Sequence, residues 1–179
     1  MCIRDSDDTV PDLLVLGKAL GGGILPIAAV LARADLDVAG NYALGHYTHE
    51  KNPVTAKAAL PTIEIIEKGN LVENAAIQGK YMLDQLNSLK DKHHSIGDVR
   101  GLGLLIGLEL VLNRKKKTAA EDLAEDVLYR CLGKGLSFKI SMGNVLTLSP
   151  PLIITRKQID HSLQIIDQCI AEAEEAAGM

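Results

Sequence analysis

The residues best suited to chemistry stand together in residues 11–26, which read PDLLVLGKALGGGILP. Leu13–Leu16 is a short continuous apolar run, the pattern of a strand buried on both faces. It stops at Gly17-Lys18, and Gly21, Gly22, Gly23 and Pro26 follow closely. The end of a buried strand is where open α/β sheets place their ligand crevices. A lysine is rarely fully buried unless it is paired. One partly desolvated at such a place has a lowered pKa and is a competent amine nucleophile, able to form a Schiff base with an aldehyde. The same residues also fit a surface lysine beside glycines that only turn the chain. Two phosphate-binding motifs are excluded. A P-loop needs a glycine five residues before the Gly-Lys pair and a Ser or Thr after it, but those positions hold Asp12 and Ala19. Gly101-Leu102-Gly103 has Ile106 where a dinucleotide fingerprint has its third glycine.

Other candidate ligands are sparse. His46 and His49 share a polar loop over residues 42–53, YALGHYTHEKNP, but spacing places no third metal ligand beside them. The three cysteines, Cys2, Cys131 and Cys169, have neither pairing nor metal spacing. Cys131 and Cys169 fall on apolar helix faces and read as buried free thiols, which fits a reducing compartment.

A chain of 179 residues with 47% apolar and 23% charged residues is ordinary for a globular protein with a sizeable core. A net charge of -4 argues against nucleic acid as a partner. The basic run of residues 114–117 reads as a solvated loop. No apolar stretch reaches the roughly 20 residues needed to cross a bilayer. The start, MCIRDSDD, has no signal-peptide core, so a cytoplasmic location is expected. That start also leads abruptly into the apolar strand, as a truncated start would.

The elements that must position Lys18 follow in order. Residues 27–31 read as a second buried strand and residues 33–41 as a short helix or loop. Asn52 and Pro53 open a helix that Gly69 stops and Pro61 should kink. A second helix carries Leu71, Ala75, Gly79, Met82, Leu86 and Leu89 on one stripe. From Ile96 alternation takes over and leads into a strand over residues 104–112, with Ile106, Leu108 and Leu110 on one side. Arg100 reads better as an ion-pair or loop anchor than as a substrate contact. Thr118 and Glu121 have capping-box spacing before a helix with Leu123, Val127, Leu128 and Cys131 on its core face. Gly133 and Gly135 end that helix. Strands are expected over residues 137–140 and 145–148. Thr155 and Gln158 form a second capping box before a closing helix striped by Ile159, Leu163, Ile166 and Ile170. The order from Ile96 is β-α-β-β-α, an α+β domain of a few antiparallel strands with helices on one face.

The run VPDLLVLGKALGGGILPIAAVLARADL resembles the active-site segment of class III pyridoxal-phosphate-dependent aminotransferases. The likeness extends to IGDVRGLGLLIGLEL and GNVLTLSPPLIIT and spans nearly the whole chain. It implies an α/β fold, the C-terminal part of a fold-type-I transferase. Residues 1–70 would end the large cofactor-binding domain, residues 71–95 the interdomain helix, and residues 96–179 a small α+β domain. It implies pyridoxal 5'-phosphate as cofactor, Lys18 as the Schiff-base lysine, and Thr48 as a contact to the cofactor phosphate of a partner subunit. A homodimer with shared active sites would follow, acting on a small-molecule amino donor and a 2-oxo acid acceptor, with no nucleic acid and no membrane involved. Many members that act on α-amino acids carry an arginine three residues before the double proline Pro150-Pro151. Thr147 stands there instead. This points to an amine or ω-amino substrate, or to a carboxylate or phosphonate held by another residue. The pattern also resembles dialkylglycine decarboxylase and related lyases, so a lyase or decarboxylase is the alternative outcome. A non-catalytic module binding a small anion or a partner is another. The family's pyridine-nitrogen carboxylate, stacked aromatic ring and glycine-serine phosphate loop precede the lysine and cannot be assigned, so this segment alone is expected to be inactive.

Overall fold

The computed structural model describes residues 9–42, 45, 48 and 52–179. The chain divides into two compact units, Met1–Asn70 and Leu71–Met179.

In the first unit β1 (Leu13–Leu16) pairs antiparallel with β2 (Ala29–Ala32), in register from Leu13 opposite Ala32 to Leu16 opposite Ala29. Arg33 closes the open end of this ribbon: its backbone N–H donates to Asp12 O at 3.1 Å, and its guanidinium reaches Asp12 Oδ1 at 2.6 Å and Asp35 at 2.5 Å. Neither strand is buried on both faces, contrary to the expectation from their apolar runs. Val15 is 72% exposed and Val30 64%. Among the described residues each strand has only the other as a hydrogen-bonded neighbour, so no further strand extends the ribbon. A short 3₁₀ turn spans Ala34–Leu36. Helix α1 (Pro53–Lys68) starts as expected, with Asn52 Oδ1 accepting from the Val54 N–H at 2.9 Å and proline at the first position. It continues through Pro61 and is followed by Gly69.

The second unit is an antiparallel sheet in the order β3-β4-β7-β6. Its strands are β3 (Ile96–Leu102), β4 (Leu105–Asn113), β6 (Lys139–Ser141) and β7 (Val145–Leu148), with the short β5 (Thr118–Ala119) paired to the far end of β4. Three helices complete it, α2 (Leu71–Lys92), α3 (Glu121–Gly133) and α4 (Arg156–Ala176). Ile106, Leu108 and Leu110 of β4 and Leu146 and Leu148 of β7 join one core with Met82 and Leu86 of α2, Val127 and Cys131 of α3, and Ile159, Ile166 and Ile170 of α4. The helical stripes read from the sequence are the faces that pack here. Cys131 and Cys169 are buried free thiols, and burial pushes the Cys131 thiol up.

Four local expectations change. The alternating segment after Ile96 is two strands, because Gly103, at φ 54, turns the chain back with Leu102 opposite Leu105. Thr118 caps nothing: it belongs to β5, and α3 begins after Ala120 without a side-chain cap. The strand expected over residues 137–140 is Lys139–Ser141. Arg114 is not a solvated member of its basic run. Its guanidinium donates to the carbonyls of Lys90, His93 (2.7 Å) and Ile96 (2.9 Å), which ties the end of α2 to the start of β3. The second capping box forms as expected, with the Gln158 N–H donating to Thr155 Oγ1 and Gln158 Oε1 accepting from the Thr155 N–H.

Two contacts fix α2 in place. At its middle, a Cβ added to Gly79 would lie 2.1 Å from Gly103 O in the β3–β4 turn, so only glycine permits the approach. Just beyond its end, His93 is 2% exposed, with Nε2 2.6 Å from Asp167 and Nδ1 2.8 Å from Glu174, both on α4. Burial pushes both carboxyls up. Hydrogen bonds outweigh it, from Lys92 and His93 on Asp167 and from Ser95 and His93 on Glu174, so both sit below their ordinary values of 3.8 and 4.5.

Gly79→Ala is expected to destabilise the second unit by about 2 kcal/mol or more, because helix and turn must separate; chemical denaturation measures it, and an unchanged midpoint contradicts the packing. Asp167 and Glu174 are more acidic folded than unfolded, so they favour the folded state above their unfolded values and lose that contribution as pH falls through the lower folded values. Acid unfolding followed by circular dichroism should show this loss below about pH 4.5, and His93→Gln should lower stability at neutral pH and flatten the acid dependence.

Candidate active-site elements

Lys18 follows β1 directly and opens a 3₁₀ turn, Lys18–Gly21. Gly17 before it is extended, whereas Lys18 itself lies at φ 51, in the left-handed region that side chains rarely adopt. Such outliers persist where surrounding structure over-determines them and concentrate at functional sites. The turn is held by Leu20 N–H to Gly17 O at 3.1 Å and Gly22 N–H to Ala19 O at 2.9 Å. Gly22 continues it at φ 72, and a Cβ there would press to 3.2 Å from Thr62 Oγ1 on α1. The lysine is therefore presented by a short, glycine-dependent loop backed by a helix. Its side chain is exposed, so this chain alone does not desolvate it as the buried-strand expectation required. Its ammonium makes no hydrogen bond or ion pair among the described residues.

Thr48 is an exposed turn residue. His46 and His49 lie outside the described residues, and among the described residues no group of three His, Cys, Asp or Glu could hold a metal ion.

The second unit carries the Thr147 position. The row Val99–Leu108–Leu146–Ile140 crosses the sheet on its core face. The next row, Arg100–Gly107–Thr147–Lys139, therefore lies on the opposite face. Thr147 is half-buried, and its hydroxyl donates to Ser141 Oγ at 2.8 Å. Arg100 is a structural ion-pair residue, as expected. It contacts Asp98 at 2.8 Å and Glu109 at 2.6 Å, and these carboxylates, Asp98 foremost, hold its pKa above the ordinary value. Lys139 makes no hydrogen bond or ion pair among the described residues. The sequence alone does not single out Lys139 or Ser141. The signal was the alternation Lys139-Ile140-Ser141 around a core-facing isoleucine, which puts both polar residues on the Thr147 face.

Known proteins match this arrangement along its length. The model of the family described as Aminotransferase class-III matches residues 2–170. The chain belongs to that family. It is 48% identical over 165 residues to the (R)-1-hydroxy-2-aminoethylphosphonate ammonia-lyase of Vibrio splendidus (strain 12B01), covering 92% of this chain and 34% of the relative. It is 42% identical over 166 residues to the leucine/methionine racemase of Thermococcus litoralis, covering 92% of this chain and 37% of the relative. The chain thus spans little more than a third of the length of these curated relatives. A solved amine transaminase from an uncultivated Pseudomonas species, in the PLP-bound (internal aldimine) form, superimposes with a TM-score of 0.86 at 27% identity, covering 96% of this chain and 40% of that one. The fold class is α/β, matching the C-terminal portion of fold-type-I transaminases. Among the described residues no helix is long and apolar enough to cross a membrane.

Proposed function

We propose that this chain is the C-terminal portion of a pyridoxal-phosphate-dependent class III aminotransferase, which moves an amino group from an amine or amino acid to a 2-oxo acid. Residues 1–70 end its large cofactor-binding domain, residues 71–95 hold the interdomain helix, and residues 96–179 are its small domain. The observation that carries the reading is Lys18: an exposed amine, uncommitted among the described residues, held at left-handed φ at a strand end in a chain of this family.

The residues present fit a phosphorylated aldehyde, since an unpaired lysine amine is the group that joins an aldehyde carbon. When bound, pyridoxal phosphate supplies the electron sink that stabilises a substrate carbanion. Lys18 Nζ would hold the cofactor, and the same amine, when free, would be the base that moves the proton in transamination. The glycines after it fix where that amine returns. Thr48 Oγ1 would donate to the phosphate of the cofactor in the partner subunit, which makes the working enzyme a homodimer with shared active sites, expected in the cytoplasm. The chain alone, which supplies only these two contacts, is inactive.

Thr147 favours a second reading. A hydroxyl cannot form the bidentate pair that an arginine makes with an α-carboxylate. The likeness to an aminophosphonate ammonia-lyase supports a lyase outcome at the same site.

In the complete enzyme, Lys18→Ala should abolish turnover, and borohydride reduction with pyridoxal phosphate should leave the pyridoxyl group on Lys18, located by peptide mass mapping. Retained activity, or a label on another lysine, overturns the assignment. Product analysis without a 2-oxo acid separates the two outcomes: a transaminase stalls after one equivalent, whereas a lyase continues to release ammonia.

A further inference from the structure

We infer that Thr62 is a positioning residue for Lys18, acting through Gly22 to hold the lysine backbone in its left-handed state. The inference rests on the reading of Lys18 as the aldehyde-binding lysine.

The chain on the two sides of Lys18 is held in different ways. Before it, the ribbon anchors the strand, and its last pair is Leu16 opposite Ala29. After it, the backbone hydrogen bonds of the turn run, among the described residues, within residues 17–25. They join Leu20 N–H to Gly17 O, Gly22 N–H to Ala19 O and Leu25 N–H to Gly21 O. The first two bracket Lys18. A shift of Gly22 is therefore passed to Ala19 and from there to the peptide that it shares with Lys18. A turn bonded only to itself can move as a block, and a lysine at φ 51 needs a constraint from outside it.

Helix α1 supplies that constraint at Thr62. This threonine is half-buried, and its hydroxyl donates to Ala58 O at 2.9 Å, one turn back along the helix. Threonine in a helix divides between two side-chain rotamers, and this bond selects one of them. The oxygen fixed in this way stands against Gly22, where an added Cβ would come to 3.2 Å from it. Gly23 is the internal comparison. It is left-handed as well, at φ 77 beside φ 72 for Gly22, yet a Cβ added there has nothing within 4 Å. Alanine at either position carries a similar backbone cost, but only at position 22 does it also meet the threonine.

The test follows capture of pyridoxal phosphate by the complete, cofactor-free protein. Capture is read from the change in the cofactor's absorbance and located by borohydride reduction and peptide mass mapping. Gly22→Ala should slow capture at Lys18 about 10-fold or more, whereas Gly23→Ala should slow it by no more than about 3-fold. Adding Thr62→Ala to Gly22→Ala should recover about 3-fold or more, because the new Cβ then has room. Thr62→Leu keeps Gly22 and suits a helix, and it should reproduce the slow capture by pressing on the turn from the other side. Thermal unfolding of each protein, followed by circular dichroism, separates a displaced lysine from an unfolded chain. Equal slowing by Gly22→Ala and Gly23→Ala, or no recovery in the double variant, overturns the inference and leaves Lys18 as the labelled lysine. A label on another lysine in the unaltered protein overturns the reading of Lys18 and this inference with it.

Discussion

The second unit depends on one close approach. Helix α2 passes the β3–β4 turn so tightly at Gly79 that no side chain fits against Gly103 O. That contact sets how deep the helix sits, and with it whether Met82 and Leu86 reach the core under β4. The polar contacts further along α2 work only from that depth. Tyr81 donates to Asp160 at 2.5 Å, and His93 reaches both Asp167 and Glu174 on α4. A single glycine pair thus couples a hairpin, two helices and a buried ionic cluster. It does so through steric permission, not through an attraction of its own.

The two units achieve order by different means. The second has an apolar core from four strands and three helices, with the Thr155 cap and the buried His93 tied to side-chain partners. The first has two strands, a glycine-rich turn and one long helix, and much of its apolar surface remains exposed. What is well defined in the first unit is backbone: the ribbon register, the turn after Lys18 and the Asn52 cap. This suits the role proposed for Lys18, which depends on where its Cα is held while the side chain stays free to form and break a bond.

Legibility in the sequence followed the range of the interactions. The helix stripes, the Asn52 cap, the Thr155–Gln158 box and the β4 alternation are encoded within a few residues, and each forms where the pattern puts it. Thr118 and Glu121 have the same spacing as a real capping box, but a two-residue strand claims Thr118 first. The run LLVL correctly signals a strand, but burial on both faces needs distant packing that four residues do not encode. For the candidate site, the lysine and its glycines were legible, while the left-handed backbone of Lys18 was not, because a residue other than glycine gives no local sign of it. The row joining Arg100, Gly107, Thr147 and Lys139 was beyond reach, since it needs the register of three strand pairs at once.

The ribbon of the first unit has a further consequence. A two-stranded ribbon leaves a line of unsatisfied backbone donors and acceptors along each outer edge, here flanked by Leu13, Val15, Val30 and Leu31, all largely exposed. Such an edge is a template for another strand of the same kind. The exposed edges of β1 and β2 are therefore the places in the first unit where a second chain can add a strand. The segment that presents Lys18 is thus also an edge at which pairing between chains can start.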